Sequence, residues 1–172
     1  MNKTIWILAV LLAAGICEAK DQFEQEIRGA LQGSAFYSHS SGVRGADELY
    51  LGYGADGRLV SAVAIGRIRS STQVTALIRV RRQADGYAID QAEILDLDKI
   101  KEDSRRQGLR NMASTLRGSV VQDGSGKKRP LDAVSGATAS RKNVLEDFDK
   151  LAKTAAETMA ANPPWPKVPM PR

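Results

Sequence analysis

The sequence predicts a single α+β domain, with an antiparallel sheet built from hairpins and packed against two or three helices. Three observations lead there. Two Asp-Gly turns, Asp56-Gly57 and Asp85-Gly86, each separate a pair of apolar runs. The runs alternate with the period of a half-buried strand. Segments at both ends of the chain instead repeat apolar residues at helical spacing, so helices and hairpins segregate along the chain.

Taken in order, Phe23, Ile27, Ala30 and Leu31 place a short amphipathic helix over 21–33. Residues 34–46 are rich in Ser and Gly and read as a loop. Strands are expected over Glu48–Tyr53 and Arg58–Ile68, flanking Ala55-Asp56-Gly57. A second pair, Gln73–Arg82 and Tyr87–Leu95, flanks Ala84-Asp85-Gly86. Gly accepts the positive φ that such turns need. Val74, Ala76, Ile78 and Val80 should face one way and Thr75, Leu77, Arg79 and Arg81 the other, while Leu59, Val63 and Ile65 form a similar stripe.

Residues 98–117 are rich in helix formers, with Ile100, Met112 and Leu116 as a sparse apolar face, and Gly108 predicts a break or bend. Asp123-Gly124-Ser125-Gly126 is a turn, followed by the basic run Lys127-Lys128-Arg129. The last helix carries Val144, Phe148, Leu151, Ala155 and Met159 on one face, widened by Leu145 and Ala152, with Glu157 and its neighbours on the polar face. Ser140 suits its N-cap. Five of the six prolines fall in the tail over 161–172, which reads as extended.

Composition narrows the function. Apolar residues make up 42% of the 172, enough for one core, while aromatics are 5%, so a flat ligand has few rings to stack on. Residues 1–19 have the pattern of a secretory signal peptide: Lys3, an apolar run from Ile5 to Ile16, and the small residue Ala19 at the cleavage point. Two other readings stay open. One is lipidation at Cys17, which the large Ile16 before it disfavours; the other is an uncleaved anchor. Cleavage after Ala19 removes the only cysteine, leaving a mature chain without disulfide or thiolate chemistry. His39 is the only histidine, which excludes a multi-histidine metal site, and it reads as a loop histidine. No metal site and no catalytic constellation is expected. The net charge of +5 comes from scattered residues without interleaved aromatics, so nucleic acid is not the expected partner. An anionic cofactor, acidic redox partners or a membrane surface suits it equally.

The chemistry concentrates in Asp132-Ala133-Val134-Ser135-Gly136-Ala137-Thr138, a small-residue loop leading into the last helix. Unpaired N–H groups and the positive end of the helix dipole favour a phosphate there. Gly136 permits close approach, Ala133 and Ala137 leave room around Thr138, and a bound anion would offset Arg141 and Lys142 at the helix start. These features predict an anion site without naming the anion.

The segment resembles the flavinylation motif of the FMN-binding domain family, which includes the flavin-carrying subunits of sodium-pumping NADH:quinone oxidoreductase and of related ferredoxin-oxidising membrane complexes. That pattern is Asp, two variable residues, Ser or Thr, Gly, Ala, then the modified Thr or Ser. Asp132, Ser135, Gly136, Ala137 and Thr138 meet every fixed position, and Ser140 matches the hydroxyl residue common after it. The likeness extends over 45–160, and its sharp part is 132–140. It implies that a magnesium-dependent flavin transferase donates FMN from FAD: Thr138 Oγ attacks the FMN phosphorus, AMP leaves, and a phosphoester remains. Asp132 would help present the loop or the metal to the transferase, and Ser135 would shape the turn. Tyr50, Tyr53 and Tyr87 are candidates to pack on the isoalloxazine ring, with sheet or core packing the better reading; Lys127, Lys128 and Arg129 fit the phosphate, a redox partner or solvent.

The implied function is a periplasmic or otherwise exported electron-transfer carrier or module, working with redox partner proteins in the periplasm or at the membrane. A flavin reductase acting on a small acceptor, and a flavin-free exported binding or assembly module, are the alternatives. The expected organisation is a signal peptide over 1–19, an N-terminal helix and loop over 20–44, the FMN-binding domain over 45–160 and a Pro-rich tail over 161–172.

Overall fold

The computed structural model describes residues 23–127 and 139–163. The segment 1–19, the motif residues 132–138, Lys128, Arg129 and the tail from 164 onward lie outside the described residues.

A six-stranded antiparallel sheet in the plain order β1-β2-β3-β4-β5-β6 forms the centre of an α+β domain. The strands are β1 (Phe36–Ser41), β2 (Glu48–Tyr53), β3 (Leu59–Ile68), β4 (Val74–Gln83), β5 (Gly86–Ile94) and β6 (Val120–Asp123). Three helices flank it: α1 (Glu24–Ala30), α2 (Asp103–Thr115) and α3 (Ala139–Ala161), with a 3-10 turn at Leu97–Lys99. Both Asp-Gly hairpins stand where the turn chemistry puts them. Gly57 takes φ +77 in the turn between β2 and β3, where Asp56 Oδ1 accepts the Arg58 N–H at 3.0 Å.

Each face of the sheet has its own core. Val74, Ala76, Ile78 and Val80 of β4 point to the face covered by α2 and α3, as their alternation predicts. There α3 buries Val144, Leu145, Phe148, Leu151, Ala152, Ala155 and Met159, the residues of its expected face. Contact is close enough that a Cβ on Gly66 would lie 2.8 Å from Leu151 Cδ2. The opposite face gathers Tyr50, Val63, Ile65 and Leu77 under Ala30 and Leu31 at the end of α1. Arg79, only 6% exposed, joins this second layer. It donates to the Gln32 carbonyl at 2.8 Å and meets Asp90 at 3.3 Å, tying the C-terminal end of α1 to the sheet.

Several expectations need correction. The loop over 34–46 contains β1, whose six residues pair with β2 from Phe36↔Tyr53 to Ser41↔Glu48. Leu59 does not share the face of Val63 and Ile65. The register steps from Gly52↔Ser61 to Tyr53↔Leu59, so Val60 is an extra, bulged residue and Leu59 turns into the α3-side core. Helix α2 runs through Gly108 without a break, and the stretch before it forms the 3-10 turn instead of a helical start. The short edge strand β6 adds a sixth strand to the four read from the hairpins. Ser140 is the second residue of α3, not its cap.

Candidate functional site

A groove of about 280 Å³ lies where three distant segments meet: the β3–β4 loop (Ser70, Ser71), one side of α2 with the residue before it (Glu102, Ser104, Arg105, Gly108, Leu109, Met112) and the first turns of α3 (Val144). Each segment reaches it for a local reason. Leu109 and Met112 lie one turn apart on the buried stripe of α2, so they form an apolar floor with Val144. Gly108 has no side chain to fill the space beside them; a Cβ there would meet nothing within 4 Å. The serines provide hydroxyls, and Arg105 and Glu102 pair at 3.6 Å on the rim.

The β3–β4 loop is held over the groove by Asp147 of α3. Its Oδ2 accepts the Arg69 backbone N–H at 2.6 Å and its Oδ1 accepts Arg69 Nε at 3.0 Å. This hydrogen bond, then the charge of Asp147, raises the Arg69 pKa above its ordinary value. On the far side of the loop, Asp96 is fully buried and accepts three hydrogen bonds: the Thr75 N–H at 2.6 Å, Thr75 Oγ1 at 3.0 Å and Lys99 Nζ at 2.6 Å. The two carboxylates fix both ends of the loop, Asp147 after β3 and Asp96 at the start of β4.

Of the residues that sequence reading assigned to flavin attachment, Asp132, Ser135, Gly136, Ala137 and Thr138 lie outside the described residues. Ser140 stands in the first turn of α3. Val144, on the groove wall, is five residues beyond the helix start, roughly 7.5 Å along its axis. The chain that follows Thr138 thus enters the wall of the groove. None of the three tyrosines lines it. Tyr53 is buried in the α3-side core, Tyr87 packs at the edge of the same core with the Arg82 guanidinium 5.8 Å from its ring centre, and Tyr50 belongs to the opposite face. Leu109 and Ser70 carry no signal in the sequence, Met112 stands out there only as part of an apolar helix face, and Gly108 only as a break or bend.

His39 needs a further correction. It is a strand residue directly opposite Tyr50, and the two rings stack with centres 4.4 Å apart. Glu48, two residues before Tyr50 and so on the same face, accepts the Tyr50 hydroxyl at 2.6 Å and faces His39 Nε2 at 3.3 Å. Burial first, then the hydrogen bond and charge of Glu48, hold the Tyr50 phenol well above the ordinary tyrosine range.

Comparison with known proteins finds no matching family model, no matching curated protein and no matching solved structure. Among the described residues no helix is long and apolar enough to cross a membrane, and no group of three His, Cys, Asp or Glu side chains is placed to hold a metal ion.

Proposed function

We propose that the protein is an exported flavoprotein that carries FMN, esterified through its phosphate to Thr138, and relays electrons to and from partner proteins. The observation that carries this reading is the run Asp132-Ala133-Val134-Ser135-Gly136-Ala137-Thr138, placed directly before helix α3. It resembles the flavinylation motif of the FMN-binding domain family at every fixed position.

The groove supports the reading on chemical grounds. Its volume of about 280 Å³ lies just below the usual range of ligand pockets, which starts at about 300 Å³. Leu109, Met112 and Val144 suit the face of a flat ring, while Ser71 and Ser104 offer hydroxyls to its polar edge and Ser70, whose hydroxyl donates to the Thr72 carbonyl, offers an acceptor. A phosphate at the start of α3 would sit at the positive end of a 23-residue helix. Bound flavin supplies one- and two-electron redox chemistry. The chain's own part is to tether, to shield one face from water and to set the local field with Arg105, Glu102 and Arg69.

The test is expression with a magnesium-dependent flavin transferase and FAD, followed by denaturation. The wild-type chain should keep its flavin colour after denaturation and the Thr138→Ala variant should lose it. A variant that stays yellow after denaturation contradicts the attachment.

A further inference from the structure

A second recess, of about 200 Å³, opens on the other face of the sheet between the start of α1 and strands β2 to β4. Its apolar wall is Phe23, Ile27 and Ile65; its polar wall is Asp47, Glu48, Tyr50, Arg67 and Thr75. It shares no residue with the groove beside α3.

The hydrogen-bonding state of the polar wall selects the ligand. The hydroxyl donors in it are already used: Tyr50 donates to Glu48 Oε2 and Thr75 Oγ1 donates to Asp96 Oδ2. Among the described lining residues the one cation, Arg67, faces Asp47 at 3.8 Å. Glu48 takes both Tyr50 and His39 on Oε2, which leaves Oε1 outside both contacts. The recess therefore offers acceptors and asks for a donor. Among the described lining residues two carboxylates stand against one guanidinium, which leaves this wall negative. The Glu48 side chain is 36% exposed and backed by the buried Tyr50, so its attraction for a cation is only moderately screened by water. The Tyr50 hydroxyl and His39 hold that carboxylate from behind, so little ordering is left for a ligand to impose.

We propose that this recess binds a small amphiphilic amine, with its ammonium group on Glu48 and an apolar body of one ring and a short arm against Phe23, Ile27 and Ile65. The proposal rests on no part of the flavin reading.

Phenethylamine is the probe, with phenethyl alcohol as its uncharged counterpart, titrated into the purified protein by calorimetry and by amide chemical-shift mapping. The amine should bind saturably, shift residues of the recess, and bind at least about tenfold more tightly than the alcohol. Glu48→Gln should weaken the amine by about tenfold and leave the alcohol unchanged. Phe23→Ala, outside the sheet, should weaken both and serves where Glu48→Gln does not fold. No saturable binding, equal affinity for amine and alcohol, or shifts confined to other surfaces would each overturn the proposal.

Discussion

Arg69 and Asp147 join the β3–β4 loop to helix α3 through both oxygens of one carboxylate. The Asp147 side chain is 13% exposed, whereas Arg69 is 64% exposed. The more protected contact is therefore the backbone N–H of Arg69, at 2.6 Å. This contact keeps Ser70 and Ser71 over the groove. Asp147→Ala should release the loop with the sheet intact. Amide exchange at Arg69 and its neighbours should speed up by an order of magnitude or more, while β3 and β4 keep their protection. Unchanged exchange at Arg69 would show that the loop is held by something else.

Arg79 and Arg81 share Asp90, but only Arg79 is buried, at 7% side-chain exposure against 43%. Burial first, then the neighbouring Arg81 charge, lowers the Arg79 pKa, with Asp90 opposing; it remains a charged group held in a dry site. Replacing it by Ala leaves Asp90 and the Gln32 carbonyl with only the more exposed Arg81, at 3.3 Å from each, and removes the buried guanidinium between them. Urea melts should show a loss of about 2–4 kcal/mol. Arg81→Ala should cost under about 1 kcal/mol. Arg79→Lys should recover little, because an ammonium cannot reach Gln32 and Asp90 with the planar fork of a guanidinium.

Two glycines should respond in opposite directions. Gly66→Ala places a methyl against Leu151, itself packed in the core, and should destabilise by about 1–3 kcal/mol. Gly108→Ala adds its methyl to open space within α2 and should stabilise by about 0.5–1 kcal/mol. The same methyl narrows the groove. Thermal melts of the two variants read the signs, and a destabilised Gly108→Ala would show that the groove geometry is wrong.

Tyr50 makes stability depend on alkaline pH. Its folded pKa is raised, so between the ordinary phenol pKa of about 10 and the higher folded value the unfolded chain has released a proton that the folded chain keeps. The folded state then binds more protons, and stability falls as pH rises through that window. Below about pH 9 both states hold the proton and the effect vanishes. Urea melts at neutral pH and above pH 10 should show Tyr50→Phe losing less stability on the alkaline step than wild type. Equal losses would place Tyr50 in a more open setting than its 8% exposure indicates.

Much of the fold is legible in the sequence because its strongest signals are local. Asp-Gly between apolar runs fixes β2 to β5, and the stripe from Val144 to Met159 fixes α3. The misses are places where long-range pairing decides. Phe36-Tyr37-Ser38-His39-Ser40-Ser41 has no apolar alternation, since the strand sits on an edge with its outer half exposed. Only the extra residue Val60 in the register sends Leu59 to the other face. Gly108 is tolerated because Leu109, Met112 and Ala113 pack α2 onto the core, which outweighs its poor propensity. The segment proposed for attachment, Asp132 to Thr138, is legible as a contiguous motif. The groove is not, because Ser70, Leu109 and Val144 come together only in the fold.

Intact-mass analysis of protein exported from cells that contain a flavin transferase tests the central claim most directly. The mature chain should be heavier by one FMN less one water, with the added mass on the peptide that holds Thr138. An unmodified mass, or a flavin mapped to any other residue, would contradict it.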